Sequence, residues 1–360
     1  MPRATISLET LSHNLSTIKN YLSEATDVLV AVKANAYGHG AVETAQHLES
    51  IGVTWFGVAT AHEALELRSG GINANILIFS PVYSNISELV NNDICLTIAD
   101  DKSLECAKTP SGKNARVHLK VDTGMGRLGL GWQEAVNLAQ KVDALSNVEL
   151  EGVWTHFAAS DDEDRRFTLE QLEAFELFLD ELEKRQIHPR LRHASNSAAI
   201  FAYPEAQFDL VRPGIAAYGY HSSPYIAGLE PNLKPALTLS APITFVKQVK
   251  KGTPISYSSL WHAPKDTTIA TVRIGYADGY PRLLTGKGEV LVQGELRPIA
   301  GRVCMDQLMV DVGALEVKVG DRVTLFGPDT LDAETLAGRI GTISYELLTS
   351  IGSRVERIYL

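Results

Sequence analysis

The chain has 360 residues, of which 45% are hydrophobic and 21% charged, and its formal net charge is −10. This composition is that of a globular protein with one large domain or two. The negative charge argues against a nucleic-acid partner, because phosphate contacts need clustered lysines and arginines. No apolar run approaches the roughly 20 residues of a membrane helix, and the N-terminal MPRATISLETL lacks the apolar core of a signal peptide. We therefore expect a cytoplasmic protein without a membrane partner.

The three cysteines, Cys95, Cys106 and Cys304, are an odd number and lack the spacing of metal ligands. Cys95 lies inside the apolar run ICLTI, which predicts a thiol packed in the core. The sequence therefore predicts no metal site.

Short β-rich runs alternate with helical patterns between residues 28 and 218. Most runs are apolar throughout, which is typical of strands buried in a parallel sheet. Helices are predicted at about 9–24, 41–50, 132–142 and 167–186; in the last one, Thr168 with Gln171 predicts a capping-box start. The strand-like runs are 28–32, 54–59, 75–80, 94–98, 116–122, 150–157, 191–195 and 210–219.

Eight such repeats predict an α/β fold with an N-terminal (β/α)8 barrel. An open doubly wound sheet is the alternative, but no G-x-G-x-x-G follows the first run. After residue 232 the segments become strand-like with glycines at the turns, until a helical pattern at 333–341. We predict two domains, a barrel over 1–232 and a mostly β domain over 233–360, and the first ~8 residues can pair with the second domain.

Lys33 follows the first run, where a parallel strand leaves the core. Active sites of such barrels lie at the carboxyl ends of the strands. A lysine in this position can simply extend its charged end into solvent, and position alone favours that interpretation. Near apolar walls, however, the charged form is disfavoured, and the amine becomes a nucleophile that can bind the aldehyde of a cofactor.

A pyridoxal phosphate enzyme also needs a phosphate cradle and a partner for the pyridine nitrogen. Barrels often bind phosphate with the loops after strands seven and eight. Asn196 and Ser197 follow the seventh run, and the backbone N–H groups of Gly214 and Ile215 follow the eighth. Asn196 and Ser197 can also be explained as a helix N-cap, which by itself is the simpler interpretation.

Two arginines lie near the same strand ends. Arg212, in VRPGI, would donate to the pyridine nitrogen and leave it unprotonated, because an arginine is always protonated. A structural salt bridge is the alternative for Arg212. Arg127, in the glycine-rich DTGMGRLG, could contact the ring oxygen or could lie on the surface of a loop.

Together the motifs of this chain resemble those of the bacterial alanine racemases, which are pyridoxal phosphate enzymes with a barrel and a β domain. The resemblance covers about residues 3–359. The lysine motif is shared with other enzymes of that fold, whereas the full set, with ISYSS and GRVCMDQ, is specific to racemases. The motifs are VAVKANAYGHG, HLKVDTGMGRLG, EGVWTHFAASDDED, RHASNSAA, VRPGIAAYG, PISYSS, RIGYADGYPR, AGRVCMDQLMVDVG and TISYELL.

The resemblance implies an isomerase that interconverts L- and D-alanine with two bases and supplies D-alanine for peptidoglycan. Lys33 would carry the cofactor and serve the face of the D-isomer. Tyr257 would serve the face of the L-isomer, and it would come from the other subunit of a homodimer with shared active sites. His156 would lie between Arg212 and Tyr257.

The remaining roles also follow from the resemblance. Lys120 matches a lysine that is carbamylated in some members, where the carbamate would hold Arg127. The substrate would contact Arg127, Tyr257 and the backbone of Met305. The substrate entry would be lined by Asp161, Tyr276, Arg282 and Arg302, together with Tyr345. The cofactor would be bound by Lys33, Tyr37, Arg127, His156, Asn196, Ser197, Arg212, Gly214, Ile215 and Tyr345.

Other functions remain open from the residues. A decarboxylase of this fold would place an acidic residue, not Arg212, against the pyridine nitrogen. A non-catalytic barrel protein that binds pyridoxal phosphate would typically lack the second domain. A barrel enzyme with another phosphorylated ligand could use Lys33 as a phosphate-binding cation. Racemases of serine, of lysine or of broad range share the framework, and Tyr280, where several members carry tryptophan, bears on the shape of the pocket.

Overall fold

The computed structural model describes residues 1–108, 113–229, 231–328 and 330–360. The chain forms two compact units. The barrel unit contains residues 12–36 and 41–233, and the β unit contains residues 1–11, 37–40 and 234–360. Within the described ranges, no helix combines the length and the apolar character needed to cross a membrane.

The barrel unit contains eight parallel strands whose order in the sheet follows the chain. The eighth strand pairs with the first, and the ring closes between the seventh and eighth through a parallel bridge of Asn196 with Arg212. The predicted barrel is therefore confirmed. A short strand, Leu130–Gly131, pairs with the end of the fifth. The eight strands are Asp27–Ala31, Trp55–Val58, Asn75–Ile78, Ile94–Ile98, Ala115–Asp122, Val148–Trp154, Leu191–His193 and Leu210–Val211.

The eighth strand is much shorter than predicted, because the run 210–219 leaves the extended conformation after Val211. Pro213 has no N–H to donate to a sheet, and Gly214 turns the backbone with φ −109° and ψ −96°. A 3-10 helix, Ile215–Tyr218, follows. The early end of the strand places N–H groups of this segment near the seventh strand instead of in the sheet.

The helices of the barrel arise where apolar residues recur every three or four positions. The helix predicted at 167–186 is Arg166–Lys184, but its predicted capping box is wrong: Arg165 is the N-cap residue, and no side chain caps the helix. The helix predicted at 9–24 ends at Lys19. The helices are Leu8–Lys19, Ala41–Ser50, Ala61–Ser69, Ile86–Asn91, Asp101–Ala107, Trp132–Asp143, Arg166–Lys184, Ser197–Ala202 and Pro224–Gly228, with a 3-10 turn at Pro204–Ala206.

An apolar cluster fills part of the barrel interior. Burial of each large side chain contributes about 1.5–3 kcal/mol to folding. Cys95 is completely buried in this cluster, so its prediction as a core thiol is confirmed. The cluster consists of Leu29, Trp55, Leu77, Cys95, Leu191 and Leu210, with Phe79 packed against it.

The β unit is mostly β-structure, as predicted, and is organised around the long strand Leu237–Val249. Its residues alternate between buried and partly exposed over most of its length, as expected of a sheet with one face covered. Arg3–Ile6 pairs with this strand and with Glu356–Tyr359. The other strands are Pro254–Ile255, Trp261–His262, Thr267–Val272, Glu289–Val292, Glu295–Pro298, Leu308–Gly313 and Arg322–Phe326; the helices are Ala333–Ile340 and Ser344–Thr349, with 3-10 turns at Tyr257–Ser259, Tyr276–Asp278 and Arg282–Leu284.

Candidate active site

Lys33 lies two residues beyond the end of the first barrel strand, and its side chain is half-buried. Burial lowers the pKa of Lys33, the charge of Arg127 lowers it further, and Glu63 opposes the change. The unprotonated amine is the nucleophilic form of a lysine. The side chain of Lys33 thus does not extend freely into water, and its environment favours the unprotonated amine.

The residues after Lys33 form a left-handed turn. Ala34, Asn35, Ala36 and Tyr37 have φ angles of 51°, 55°, 51° and 51°. This conformation costs roughly 1–2 kcal/mol for each residue other than glycine. The side-chain oxygen of Asn35 accepts a hydrogen bond from the Ala41 N–H at 2.8 Å, which helps to hold the turn. Strain of this kind accumulates where the surrounding structure fixes a functional group.

Glu63 is a residue of this region that sequence analysis missed. Its Oε1 accepts a hydrogen bond from the Ala34 N–H at 2.7 Å, and its Oε2 accepts from the Ala59 and Thr60 N–H groups. Glu63 also completes a capping box with Thr60 at the start of Ala61–Ser69. One carboxylate thus joins a helix start to the turn that carries Lys33. The T-x-x-E spacing of residues 60–63 was the available signal.

Cationic groups converge at this end of the barrel. Burial lowers the pKa of Lys33, of Lys120 and of Arg212, and the charge of Arg127 lowers each of them further. Burial lowers the pKa of His156 well below its usual value, and all four cations lower it further. Two guanidinium groups and two lysines with lowered pKa values around a neutral imidazole form a site that favours an anionic ligand.

Lys120 lies in the interior of the barrel, on the fifth strand. Its Nζ donates to the Val121 carbonyl and lies 5.3 Å from the ring centre of Trp154. Burial lowers the pKa of Lys120 to about 7, with Asp122 opposing and the two neighbouring arginines contributing. A large fraction of this amine is therefore uncharged at neutral pH.

Arg212 is almost completely buried and is held by acceptors without a net charge. Its Nη2 donates to the carbonyls of Thr155 and Ala194 at 2.7 and 2.8 Å, and its Nη1 donates to Nδ1 of His193 at 3.1 Å. Nη2 also lies 3.4 Å from Nδ1 of His156. Among the described residues no carboxylate forms an ion pair with Arg212. The alternative of a structural salt bridge is therefore wrong.

The residues predicted to bind phosphate lie close together around Ser197. Ser197 Oγ accepts hydrogen bonds from the N–H groups of Gly214 at 2.8 Å and Ala216 at 3.3 Å. The Asn196 side chain accepts from the Ala199 N–H, so this residue is the N-cap of Ser197–Ala202. It also accepts from Ser160 Oγ at 2.8 Å. Ile215 follows Gly214 and is completely buried.

In the β unit the structure brings Tyr37 and Tyr345 together, with ring centres 6.0 Å apart. Tyr345 is the second residue of the helix Ser344–Thr349. Gly38 has φ +83°, and a Cβ atom there would lie 2.1 Å from the Leu348 carbonyl oxygen. Only glycine permits this approach, which positions the Tyr37 segment against the helix.

A second group of predicted residues lies around Tyr257, also in the β unit. Tyr257 is 71% exposed, and its neighbours Ser256 and Ser258 have φ angles of 69° and 61°. Ser256 Oγ donates to the Arg302 carbonyl at 3.1 Å. The N–H groups of residues 276 and 277 donate to the carbonyls of residues 304 and 305. These bonds bring the segments of Tyr257, Arg302, Tyr276 and Met305 into one region.

Met305 and Tyr276 are 53% and 42% exposed. Arg282 is exposed in the 3-10 turn Arg282–Leu284. Asp161 belongs to the barrel unit, where its carbonyl accepts from Ser223 Oγ at 2.6 Å. The structure therefore divides the predicted site residues between the two units.

Comparison with known proteins agrees with this distribution of residues. The model of the alanine racemase N-terminal domain matches residues 6–222, and that of the C-terminal domain matches residues 236–359. The chain belongs to the alanine racemase family. The family expected from the motifs is thus confirmed.

Relatives in the family are similar over their whole length. Alanine racemases of Desulforamulus reducens and Methanococcus maripaludis are 44% and 42% identical, each over 99% of this chain and 98% of the relative. A solved alanine racemase of Clostridium difficile superposes with a TM-score of 0.96 at 38% identity, covering 100% of this chain and 95% of that chain. The Bacillus anthracis enzyme, solved with bound L-Ala-P, has a TM-score of 0.93 at 36% identity with the same coverage.

Two family motifs contain histidines to which sequence analysis gave no role. His118 of HLKVD and His193 of RHASN are completely buried inside the barrel, and their rings are hydrogen-bonded at 2.9 Å. The signal was the polar character of alternate positions on the fifth strand, Arg116, His118 and Lys120. Alternate residues of a strand point to the same side. Burial alone does not explain such a row of polar side chains.

Proposed function

We propose that this protein is an alanine racemase that uses pyridoxal 5'-phosphate to interconvert L- and D-alanine. The observation that carries the proposal is the position of Lys33, with a lowered pKa, among three further cations at the carboxyl end of the barrel strands. The full-length similarity to proteins named alanine racemase supports the choice of substrate.

The charges of the barrel unit fit this cofactor, which is anionic at its phosphate and at its ring oxygen. Ser197 and the N–H groups of Gly214 and Ile215 would bind the phosphate, joined by Tyr37 and Tyr345 and supported by Asn196. Arg127 would meet the ring oxygen. When bound, the cofactor supplies electron withdrawal that makes the α-proton of the amino acid acidic.

Arg212 would face the pyridine nitrogen. A guanidinium only donates hydrogen bonds, so it would leave that nitrogen unprotonated and moderate the electron withdrawal. Moderate withdrawal suits a racemase, because it limits side reactions such as transamination. The carbonyl and imidazole acceptors around Arg212 support this role, since they hold the cation without neutralising it.

Racemisation removes a proton from one face of the α-carbon and returns one to the other face. Two bases on opposite faces achieve this without movement of the substrate. The amine of Lys33 would hold or release the proton on the D-isomer side. The phenol of Tyr257 of the partner subunit would do so on the L-isomer side, with His156 between it and Arg212.

We also propose a homodimer with shared active sites. In the isolated chain Tyr257 and Met305 expose much of their side chains, as do the nearby Tyr276 and Leu260. Large exposed apolar groups in one region are typical of a surface that a partner covers. The Met305 backbone would contact the substrate carboxylate, and Asp161, Tyr276, Arg282 and Arg302 would line the entry.

Lys120 is a candidate for carbamylation, because only an unprotonated amine adds carbon dioxide and the pKa of Lys120 is lowered to about 7. The product would be an anion beside Arg127. In the cell we propose a cytoplasmic enzyme whose D-alanine is used in peptidoglycan.

Isotope exchange tests the proposed function. Purified protein with added pyridoxal phosphate is incubated with L-alanine in deuterated water, and optical rotation and deuterium at Cα are followed. Loss of rotation with one deuterium per turnover is the expected result, and the same assay with serine and lysine defines the substrate range. Deuterium uptake without racemisation would contradict the presence of a second base. Absence of exchange with all three amino acids would contradict the assignment of the protein as an amino acid racemase. Borohydride trapping of the cofactor on Lys33 tests the attachment site separately.

A further inference from the structure

A continuous polar chain crosses the interior of the barrel and ends at Arg212. Arg212 Nη1 lies 3.1 Å from His193 Nδ1. His193 Nε2 lies 2.9 Å from His118 Nδ1, and His118 Nε2 lies 3.5 Å from Glu151 Oε2. Both imidazoles are completely buried, and Glu151 is 3% exposed.

Arg212 and Glu151, at the two ends of this polar chain, determine where the protons of the histidines lie. A guanidinium can only donate hydrogen bonds, and a carboxylate can only accept them. Arg212 therefore donates to Nδ1 of His193, which leaves the proton of that ring on Nε2. His193 then donates to Nδ1 of His118, whose own proton lies on Nε2 and points to Glu151. Both hydrogen bonds run in one direction, and such chains polarise their members cooperatively. The contact of His118 Nε2 with Glu151 is a longer, ionic one, at 3.5 Å.

Burial keeps both imidazoles neutral, as this arrangement requires. It lowers the pKa of His118, against the opposing effect of Glu151. It lowers the pKa of His193 well below the usual value, and Arg212 contributes to the change. Glu151 stays ionised, because hydrogen bonds from His118, Arg116 and Arg190 hold its pKa far below the usual range.

The backbone of the sixth barrel strand is adapted to this chain. The pairing of the fifth and sixth strands shifts by one residue next to His118, so that His118 faces Gly152 and Glu151 is displaced. A Cβ atom on Gly152 would lie 2.6 Å from Nδ1 of His118. On the other side, the ring of His193 stacks on Trp154 with an interplanar angle of 6°. These contacts restrict the positions of both rings.

A metal site is the other function that these groups suggest, since ligand atoms of Cys95, His118 and Glu151 lie within 4.8 Å of one another. Both oxygens of Glu151 already accept from arginines, at 2.8 and 3.0 Å from Arg116 and at 2.5 Å from Arg190. Two adjacent guanidinium groups oppose the binding of a further cation. The hydrogen-bond chain explains the same residues without this conflict.

We propose that Glu151, His118 and His193 are positioning residues: His193 holds the guanidinium of Arg212, and His118 and Glu151 fix the tautomer of His193. The proposal deepens the proposed function, because Arg212 matters to the reaction only if it faces the pyridine nitrogen. Residues that orient a functional group in this way typically change activity by about 10- to 100-fold when altered.

The first experiment determines the tautomers of the two histidines. Two-bond proton–nitrogen NMR spectra of protein labelled with ¹⁵N-histidine are recorded with and without pyridoxal phosphate, and His118→Gln and His193→Gln identify the signals. We expect both rings to be neutral with the proton on Nε2. A proton on Nδ1 of either ring, or a doubly protonated ring at neutral pH, overturns the proposal.

The second experiment is a double-mutant cycle on the holoenzyme with His118→Phe and Glu151→Gln. Each single variant should lower kcat for alanine about tenfold and change KM less than about twofold, because neither residue contacts the substrate. The double variant should lose no more of its kcat than each single variant does, since the same polar chain is interrupted in all three proteins. Cys95→Ala is the matched control, because the Cys95 thiol lies 3.5 Å from the same Glu151 oxygen but outside the chain.

The outcomes separate the two proposals. Additive losses, or unchanged kcat in both single variants, overturn the positioning role. If His118→Phe does not fold, Gly152→Ala replaces it, because the added methyl displaces the His118 ring. If the unaltered protein does not racemise alanine, the proposed function fails. The histidine tautomers measured by NMR still test the polar chain from Glu151 to Arg212.

Discussion

Burial lowers the pKa of three basic side chains of the barrel unit, with different consequences for their charge. It lowers the pKa of Lys33 and Lys120, so these amines lose protons more easily. Burial lowers the pKa of Arg212 to about 9, but it keeps its proton at neutral pH, because the guanidinium is a far weaker acid and has carbonyl acceptors at hydrogen-bond distance. One cationic cluster thus provides two amines that can lose a proton, Lys33 and Lys120, and two permanent charges, Arg127 and Arg212.

Tyr257→Phe tests the second base. Removal of the phenol should lower α-proton exchange from L-alanine at least about 100-fold, the usual contribution of general base catalysis, and should lower exchange from D-alanine much less. Single-turnover deuterium exchange with each isomer measures both rates. Tyr83→Phe is the control, since Tyr83 is also exposed but has no role in the proposal. Equal losses for the two isomers would exclude the two-base model.

The lowered pKa of Lys120 predicts how the free energy of unfolding depends on pH. Its pKa is about 7 in the folded chain and 10.5 ordinarily, so between these values the unfolded chain binds more protons. The free energy of unfolding must then rise with pH. Between pH 7 and 9 the rise due to Lys120 should be about 2 kcal/mol, and it should be absent in Lys120→Met. Urea unfolding without cofactor, in buffers free of carbon dioxide, measures this difference. Parallel curves for the two proteins would contradict the assignment.

At the scale of single elements, strands and turns position the site residues, and only some of these elements could be predicted. Barrel strands with long apolar runs were predictable, since buried parallel strands contain few polar residues. The length of the eighth strand was not predictable. Pro213 and Gly214 end it after two residues, and the Gly214 N–H donates to Ser197 Oγ instead. The left-handed turn after Lys33 was also unpredictable, because Ala34 and Ala36 prefer other conformations when isolated.

Ala34→Gly should therefore stabilise the fold. Ala34 is exposed with φ 51°, and glycine removes a penalty of roughly 1–2 kcal/mol but increases the entropy of the unfolded chain by about 0.4–1 kcal/mol. We expect a net gain of up to about 1.6 kcal/mol in the free energy of unfolding in urea. Ala144→Gly is the matched control: Ala144 is exposed at φ −72°, where the same change should destabilise. A loss of stability in both variants would show that the turn is not strained.

At the scale of the whole molecule, the predicted site residues are divided between the barrel unit and the β unit. The barrel unit provides Lys33 and Arg212, and the β unit provides Tyr257 and Met305. If each active site combines a barrel unit with the β unit of the other subunit, then two defective chains can restore each other.

A mixture of Lys33→Ala and Tyr257→Ala chains tests this arrangement. Each variant alone should be inactive. After joint refolding in equal amounts, half of the dimers are mixed and one site in each is intact, so about one quarter of the parent activity should return. Light scattering should give twice the chain mass of 39.2 kDa. Absence of recovery, although mixed dimers form, would contradict shared sites.

The sequence by itself determined the barrel, the mostly β second domain and the family. Those conclusions depend on apolar periodicity and on short motifs, which are properties of neighbouring residues along the chain. Lys33 and Arg212 could be named for the same reason, since each follows a predicted strand.

Only the tertiary structure revealed Glu63 beneath the Lys33 turn, the closure of the barrel at Arg212, and the chain from Glu151 through His118 and His193. Ala34 and Glu63 are 29 positions apart in the sequence, and His118 and His193 are 75 positions apart. Hydrogen-bond direction and pKa depend on distances of a few ångströms and on exclusion of water. The spacing of residues in the sequence does not give these distances. Hydrogen-bond directions and pKa shifts can therefore be assigned only once the tertiary structure places the strands side by side.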